Sequence, residues 1–214
     1  MSSLSSGPRR TLVIMVKTPV AGRVKTRLGR DIGTIPATVF SRHTIAMLAA
    51  RLYAPRRWTL RLAVAPGPGF RSPALPGPPA ARMPQATGDL GQRMQAVFDR
   101  HPAGPLILIG SDVLGITPSD IAEAFHCLDG HEAVLGPSPD GGFWLVGLRR
   151  RPCRLRPFAN VRWSTDEAMA GTLRNLAGHC VGMVAVKADV DDRASWIRNA
   201  PLRNRRITGA LVGN

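Results

Sequence analysis

Two stretches of this chain are apolar almost without interruption, TLVIMVK (11–17) and PLILIG (105–110). Runs of that length, rich in β-branched residues, predict strands buried on both faces of a sheet. WTLRLAVA (58–65) reads as a further strand between them. Elsewhere the apolar positions follow a helical period. From Thr34 to about Leu52 they are Ile35, Val39, Ala46, Ala49 and Leu52, with Thr34 as a cap and Pro36 in the first turn. In QATGDLGQRMQAVFDR, Leu90, Met94, Val97 and Phe98 share one helical face, and Thr117 and Pro118 open another helix carrying Ile121, Ala122, Ala124, Phe125 and Leu128. HEAVLG (131–136) and GFWLVGL (142–148) predict strands on either side of the turn PSPDG. Thr165 to Leu176 reads as a helix, VGMVAVK (181–187) as a strand, and Asp191 to Ile197 as a short closing helix. The Pro- and Gly-rich stretch 66–82 predicts a long irregular loop, functional or mobile.

Strands alternating with helices predict an α/β fold around a mostly parallel sheet. The expected organisation is one domain over 11–200, between a polar tail at 1–10 and a basic tail at 201–214. Sheets of this kind bind ligands beyond the carboxyl ends of their strands. Lys17 through Arg27, Ser111 with Asp112, and Asp189 with Asp191 all fall at such ends.

Charge alters this picture less than its size suggests. The formal net charge is +15, but it is spread through the chain as short RR, RRR and RNRR fragments. There is no long basic tract with interleaved aromatics, which argues against specific nucleic-acid binding. Cys127, Cys153 and Cys180 are odd in number and widely spaced, which suits neither a disulfide framework nor a CxxC metal site. No HxxH or HExxH occurs, so zinc is not expected. No window approaches the roughly 18 apolar residues of a membrane span. The start, MSSLSSGPRR, does not read as a signal peptide, and the expected location is cytoplasmic.

Candidate chemistry begins in KTPVAGRVKTRLG (17–29). The loop lacks both GxxxxGK[ST] and GxGxxG. Gly22 nevertheless allows close backbone approach, and Arg23, Lys25 and Arg27 are suited to phosphate oxygens. The same residues also fit a solvated basic turn leading to a helix. Asp112, ending a buried strand, suits a divalent cation or a ribose, or else a turn cap. In DVDD (189–192) the carboxylates could complete a metal site or cap a helix. PSPDGGFW (137–144) reads as a hairpin turn or as the open wall of a ligand site. WSTDE (163–167) reads as a helix start whose free N–H groups could receive an anion.

Taken together and in order, KTPVAGRVKTRLG, QATGDLGQRM, LIGSD, GPSPDGGFWLVGL, WST and DVD resemble a bacterial family of glycosyltransferase-A-like proteins, DUF2064. That family lies in the nucleotide-diphosphosugar transferase superfamily, with the phospholactate and molybdenum-cofactor guanylyltransferases among its relatives. The resemblance spans roughly residues 11 to 192. It implies a Rossmann-like α/β/α sandwich of the GT-A type with a mixed, mostly parallel sheet. It implies that Gly22, Arg23, Lys25 and Arg27 wrap nucleotide phosphates, and that Gln85, Gly88 and Asp89 read the base. Asp112 would bind Mg²⁺ or Mn²⁺, with Asp191 and less surely Asp189 as a second contact. Asp140, Gly141, Gly142, Trp163, Ser164 and Thr165 would face the acceptor. Two departures stand out: Val113 and Leu114 replace a Cys-Pro pair, and Phe143 and Trp144 replace an aromatic pair led by tyrosine.

The implied activity is a metal-dependent, nucleotide-using transferase acting on a nucleoside triphosphate or nucleotide sugar and a small-molecule acceptor, with Lys25, Arg23 and Asp112 carrying the chemistry. In nucleotidyl transfer a phosphorylated acceptor attacks the α-phosphorus of the triphosphate. In glycosyl transfer an acceptor attacks the anomeric carbon of the nucleotide sugar. The sequence offers no clear general base, and an anionic acceptor needs none, which favours the first. The alternatives are a nucleotide-binding protein without catalysis and a nucleic-acid-binding protein.

Overall fold

The computed structural model describes residues 9–78, 81–150, 154–190 and 197. Its elements run β1 (Thr11–Lys17), α1 (Thr26–Ile32), α2 (Thr34–Arg51), β2 (Thr59–Ala65), β3 (Arg82–Pro84), α3 (Leu90–Arg100), β4 (Leu106–Gly110), α4 (Pro118–Gly130), β5 (Ala133–Pro137), β6 (Phe143–Leu148), α5 (Ala168–Asn175) and β7 (Val181–Met183). Of the closing helix expected over 191–197, all but Ile197 lies outside the described residues.

The strands form one seven-stranded sheet in the order β3-β2-β1-β4-β6-β5-β7. Strands β3, β2, β1 and β4 are parallel, while β6 runs antiparallel to both β4 and β5, and β7 is parallel to β5. A single reversed strand therefore interrupts an otherwise parallel sheet. The carboxyl ends of β1, β4 and β5 share one edge, and the turn from β5 to β6 sits on that edge as well.

Alternation of side chains along each strand divides the core into two layers. Leu12, Ile14 and Val16 of β1 and Ile107 and Ile109 of β4 pack with Ile45 and Leu48 of α2 and Ile121 and Phe125 of α4. Val13, Leu106 and Leu108 face the other way, onto Met94, Val97 and Phe98 of α3 and Leu176 after α5. Both faces are covered, which explains why β1 and β4 read as continuous apolar runs.

Four local expectations are corrected. Helix α2 begins at Thr34, with Gly33 at the cap position and no side-chain cap. Its buried face is Ala37, Ser41, Thr44, Ile45, Met47 and Leu48, whereas Ile35 and Val39 are exposed. Helix α5 starts only at Ala168. The loop after β2 contains a 3-10 turn (67–71) and the short strand β3. It is gathered around the buried Arg82, which donates to the carbonyls of Phe70, Ser72, Leu75 and Gly77. A guanidinium whose two terminal nitrogens bond four carbonyls supplies the regular bonding that a loop rich in Pro and Gly cannot make for itself.

Candidate functional site

The carboxyl edge of the sheet opens into a cavity of about 790 Å³. Lys25 and Arg27 reach it from the first loop, Gln85 from the segment after β3, and Asp112 from the end of β4. Asp140 and Gly142 come from the β5–β6 turn, Trp163, Ser164 and Thr165 from the segment before α5, and Asp189 from the segment after β7. These predicted residues share one lining. Gly22, Arg23, Gly88, Asp89 and Gly141 do not belong to it. Arg23 is exposed, and Gly22 borders a separate cleft with Thr26, Gly29 and Thr34. Asp191 lies outside the described residues.

Lys25 precedes α1 in the left-handed conformation, with φ 47°. That conformation is unusual for a side chain with a Cβ. Its ammonium lies 2.9 Å from Asp112 Oδ1 and donates to the Val190 carbonyl at 2.6 Å. The Asp112 carbonyl accepts from Val190 N at 3.0 Å. One lysine thus ties the first loop, the end of β4 and the segment after β7 together. The two residues after Asp112 help to hold it in place: Val113 joins the main core, and Leu114 packs with Met47 and Val190. This is the pair that replaces Cys-Pro, and it anchors the turn by burial.

Asp89 caps α3, accepting from Gln92 N in a reciprocal capping box. Gln85 is 7% exposed, and its amide nitrogen donates to the carbonyls of Val16 and Ala63. Its oxygen accepts from Nε and Nη2 of Arg93. Every polar atom of the Gln85 side chain is therefore engaged within the protein.

On the other side of the cavity, Asp140 Oδ1 accepts from Gly142 N at 3.0 Å. Gly141 adopts φ 81°, and a Cβ there would collide with the Asp166 carbonyl oxygen. Only glycine permits this approach, and it docks the β5–β6 turn against the segment that carries Trp163 and Ser164. Thr165 Oγ1 donates to Arg162 O and accepts from Glu167 N. Trp163 meets Phe143 edge-on, with centroids 6.2 Å apart, and lies against Gly91. Trp144, beside Phe143 in the lining, is buried, and its Nε1 donates to Ala185 O.

Sequence reasoning missed Arg93, which lines the cavity. A signal was present. Arg93 stands three residues after Leu90 and four before Val97, so a charge interrupts the flank of the apolar stripe.

The acids can be tested against a divalent ion. Asp112, Asp140 and Asp189 give the cavity hard oxygen donors. Among the described residues, no three His, Cys, Asp or Glu side chains converge as a metal cage. Such a donor set fits Mg²⁺ or Mn²⁺ held by one or two carboxylates with substrate phosphates and water, and does not fit an all-protein site.

Among the described residues, no helix is long and apolar enough to cross a membrane. A model of the family described as "Uncharacterized protein conserved in bacteria (DUF2064)" matches residues 48–165. A search among curated proteins finds no match. Among solved structures, a proposed nucleotide-diphospho-sugar transferase from Desulfovibrio desulfuricans G20 is 26% identical over 92% of this chain and 89% of its own, with a TM-score of 0.80. Rv0371c from Mycobacterium tuberculosis H37Rv, in complex with manganese, is 18% identical over 89% and 97% with a TM-score of 0.54. A CMP:2-keto-3-deoxy-manno-octonic acid synthetase complexed with CTP is 14% identical over 91% and 98% with a TM-score of 0.58. The fold is that of the nucleotide-diphosphosugar transferases, an α/β/α sandwich of GT-A type.

Proposed function

This chain belongs to the bacterial family DUF2064, and we propose that it is a nucleotide-using transferase that moves a nucleotidyl group from a nucleoside triphosphate to an anionic acceptor. The observation that carries the reading is the cavity itself, where cationic Lys25, Arg27 and Arg93 and acidic Asp112 and Asp189 meet at the carboxyl edge of the sheet. Its neighbours in fold support it. One is a proposed nucleotide-diphospho-sugar transferase, another a synthetase with CTP bound, and a third holds manganese.

In this reading an oxygen of the acceptor's phosphate attacks the α-phosphorus of the triphosphate. The bond from that phosphorus to the bridging oxygen breaks, and pyrophosphate leaves with the electron pair. A bound Mg²⁺ or Mn²⁺ supplies neutralisation of phosphate charge. Asp112 would hold the ion, with Asp189 or Asp191 as a second contact. Lys25 and Arg27 attract the phosphates, with Arg23 adding charge at the rim and Gly22 letting the loop come close. Gly88 and Asp89 shape the turn beside the base, and the 140–142 turn with Trp163, Ser164 and Thr165 bounds the acceptor side. The work is positioning and charge compensation. An acceptor that is already ionised needs no base to attack, which favours it over a sugar hydroxyl.

The test is calorimetry and thermal shift with the common nucleoside triphosphates and nucleotide sugars, each with and without Mg²⁺ or Mn²⁺. Metal-dependent binding of a triphosphate is expected. Preference for a nucleotide sugar would move the assignment to glycosyl transfer, and no metal-dependent binding of any nucleotide would overturn the transferase reading.

A further inference from the structure

Arg93 lines the cavity from α3 without an acid to answer its charge. It is half-buried, and its only side-chain partner among the described residues is the neutral oxygen of Gln85. No carboxylate of the described residues stands within ion-pairing distance of it. Burial lowers its affinity for a proton, and no acidic neighbour offsets that effect. A desolvated cation without a counter-charge is unfavourable unless something else supplies the negative charge. The buried Arg82 and Arg150 are arranged differently: they aim at backbone carbonyls and fill structural roles.

Gln85 explains how Arg93 is aimed. Its amide nitrogen is fixed between the carbonyls of Val16 on β1 and Ala63 on β2, at 3.2 and 2.7 Å. The only group left to face α3 is the oxygen, which grips Nε and one Nη of the guanidinium. The remaining N–H groups, those of Nη1 among them, are left for the cavity.

We propose that Arg93 is a substrate-binding residue that receives an anionic oxygen group, phosphate or carboxylate, and that Gln85 is its positioning residue. Gln85 acts by aiming the guanidinium rather than by reading a base. The assignment deepens the transferase reading and rests on it, since it names the charge of the group bound at the α3 side of the same cavity.

The probes are inorganic phosphate and malonate, titrated calorimetrically into the full chain as wild type, Arg93→Lys and Arg93→Gln, each checked for fold by circular dichroism. Saturable binding is expected in the wild type, retained in part by Arg93→Lys and weakened roughly tenfold or more in Arg93→Gln. Preference for phosphate assigns a phosphoryl group to the site; preference for malonate assigns a carboxylate. In the wild type, the Arg93 Nε–Hε resonance should shift with the same saturation curve, a readout that depends on no variant. Binding in Arg93→Gln equal to wild type, an unmoved resonance, or no anion binding in the wild type would overturn the assignment. Anion binding that survives unchanged in Arg93→Gln, in a chain that binds a nucleotide with metal, sinks this assignment and leaves the transferase reading standing. Phosphate binding that needs Arg93, in a chain that binds no nucleotide, does the reverse.

Discussion

Lys25 Nζ lies 2.9 Å from Asp112 Oδ1, and the lysine is the buried member of the pair, with its side chain 7% exposed against 48% for the aspartate. The basic residue singled out in the first loop is thus engaged with the acid singled out at the end of β4. A phosphate that approaches this lysine meets an ammonium whose position is already set.

Replacing Lys25 should act on both stability and binding. Lys25→Ala leaves the Val190 carbonyl without its side-chain donor and is expected to cost roughly 1–3 kcal/mol. Urea unfolding measures that loss. Affinity for a triphosphate should fall about tenfold beside it, or ~1.4 kcal/mol.

Asp112→Asn keeps the shape of the side chain and removes its charge. In the wild type, Mn²⁺ should strengthen nucleotide binding, and in the variant most of that gain should vanish while metal-independent binding persists. Calorimetry in the presence of Mn²⁺ or of a chelator separates the two. An undiminished gain would exclude Asp112 as a metal ligand.

Gly141→Ala should be among the most damaging single-methyl additions. Its φ of 81° disfavours any Cβ, and the Asp166 carbonyl oxygen occupies the space. A loss of roughly 2–4 kcal/mol is expected from strain and displacement together. Gly130→Ala, at a glycine with open space around it, is the control and should stay within about 1 kcal/mol. Thermal melts compare them directly.

Acid should weaken the fold in two separate windows. Burial holds the His101 imidazole below its ordinary 6.5, against the raising effect of its hydrogen bond to Val97 O, and nearby Arg61 and Arg150 push it lower still. The unfolded chain therefore takes up this proton first, so stability falls as pH drops through 6.5 and levels once folded His101 also protonates. For Asp120, burial favours the neutral acid, but hydrogen bonds from Thr117 and the Lys187 ammonium outweigh it and set the carboxyl below 3.8. That contribution is complete above 3.8 and is lost as pH falls towards the depressed value. Urea unfolding at stepped pH should show both declines, with His101→Gln removing the upper and Asp120→Asn the lower.

Arg82→Ala should release the 66–78 loop rather than unfold the sheet. It removes the guanidinium that gathers the carbonyls of Phe70, Ser72, Leu75 and Gly77. Limited proteolysis should cut the variant within that loop well before the wild type is cut.

Much of the sheet was legible because its central strands are buried on both faces, and only an apolar run such as PLILIG can fill such a place. Asp112 was legible for the same reason, since an acid at the end of that run has no packing role. The inner face of α2 was not. Its buried positions include Ser41 and Thr44, while Ile35 and Val39 point outward, so an apolar tally selects the wrong side. Strand β3 is three residues long and ends in proline, too short to carry a period. Arg93 escaped notice among many arginines: its place on the flank of the apolar stripe is a spacing signal, but its burial without an acid is visible only in the fold.

The reversed strand β6 has a consequence for how this cavity can diversify. The loops after β1 and β4 each lead into a helix that packs on the sheet, so a change in their length shifts a layer of the core. On the β6 side the edge is closed by a five-residue turn, 138–142, between neighbouring strands. That turn answers only to its hairpin and to the segment docked on Gly141. One half of the cavity is therefore tied to the architecture, and the other can be redrawn within a hairpin; under the proposed function, that leaves acceptor preference free to drift while the frame proposed to meet the nucleotide stays fixed.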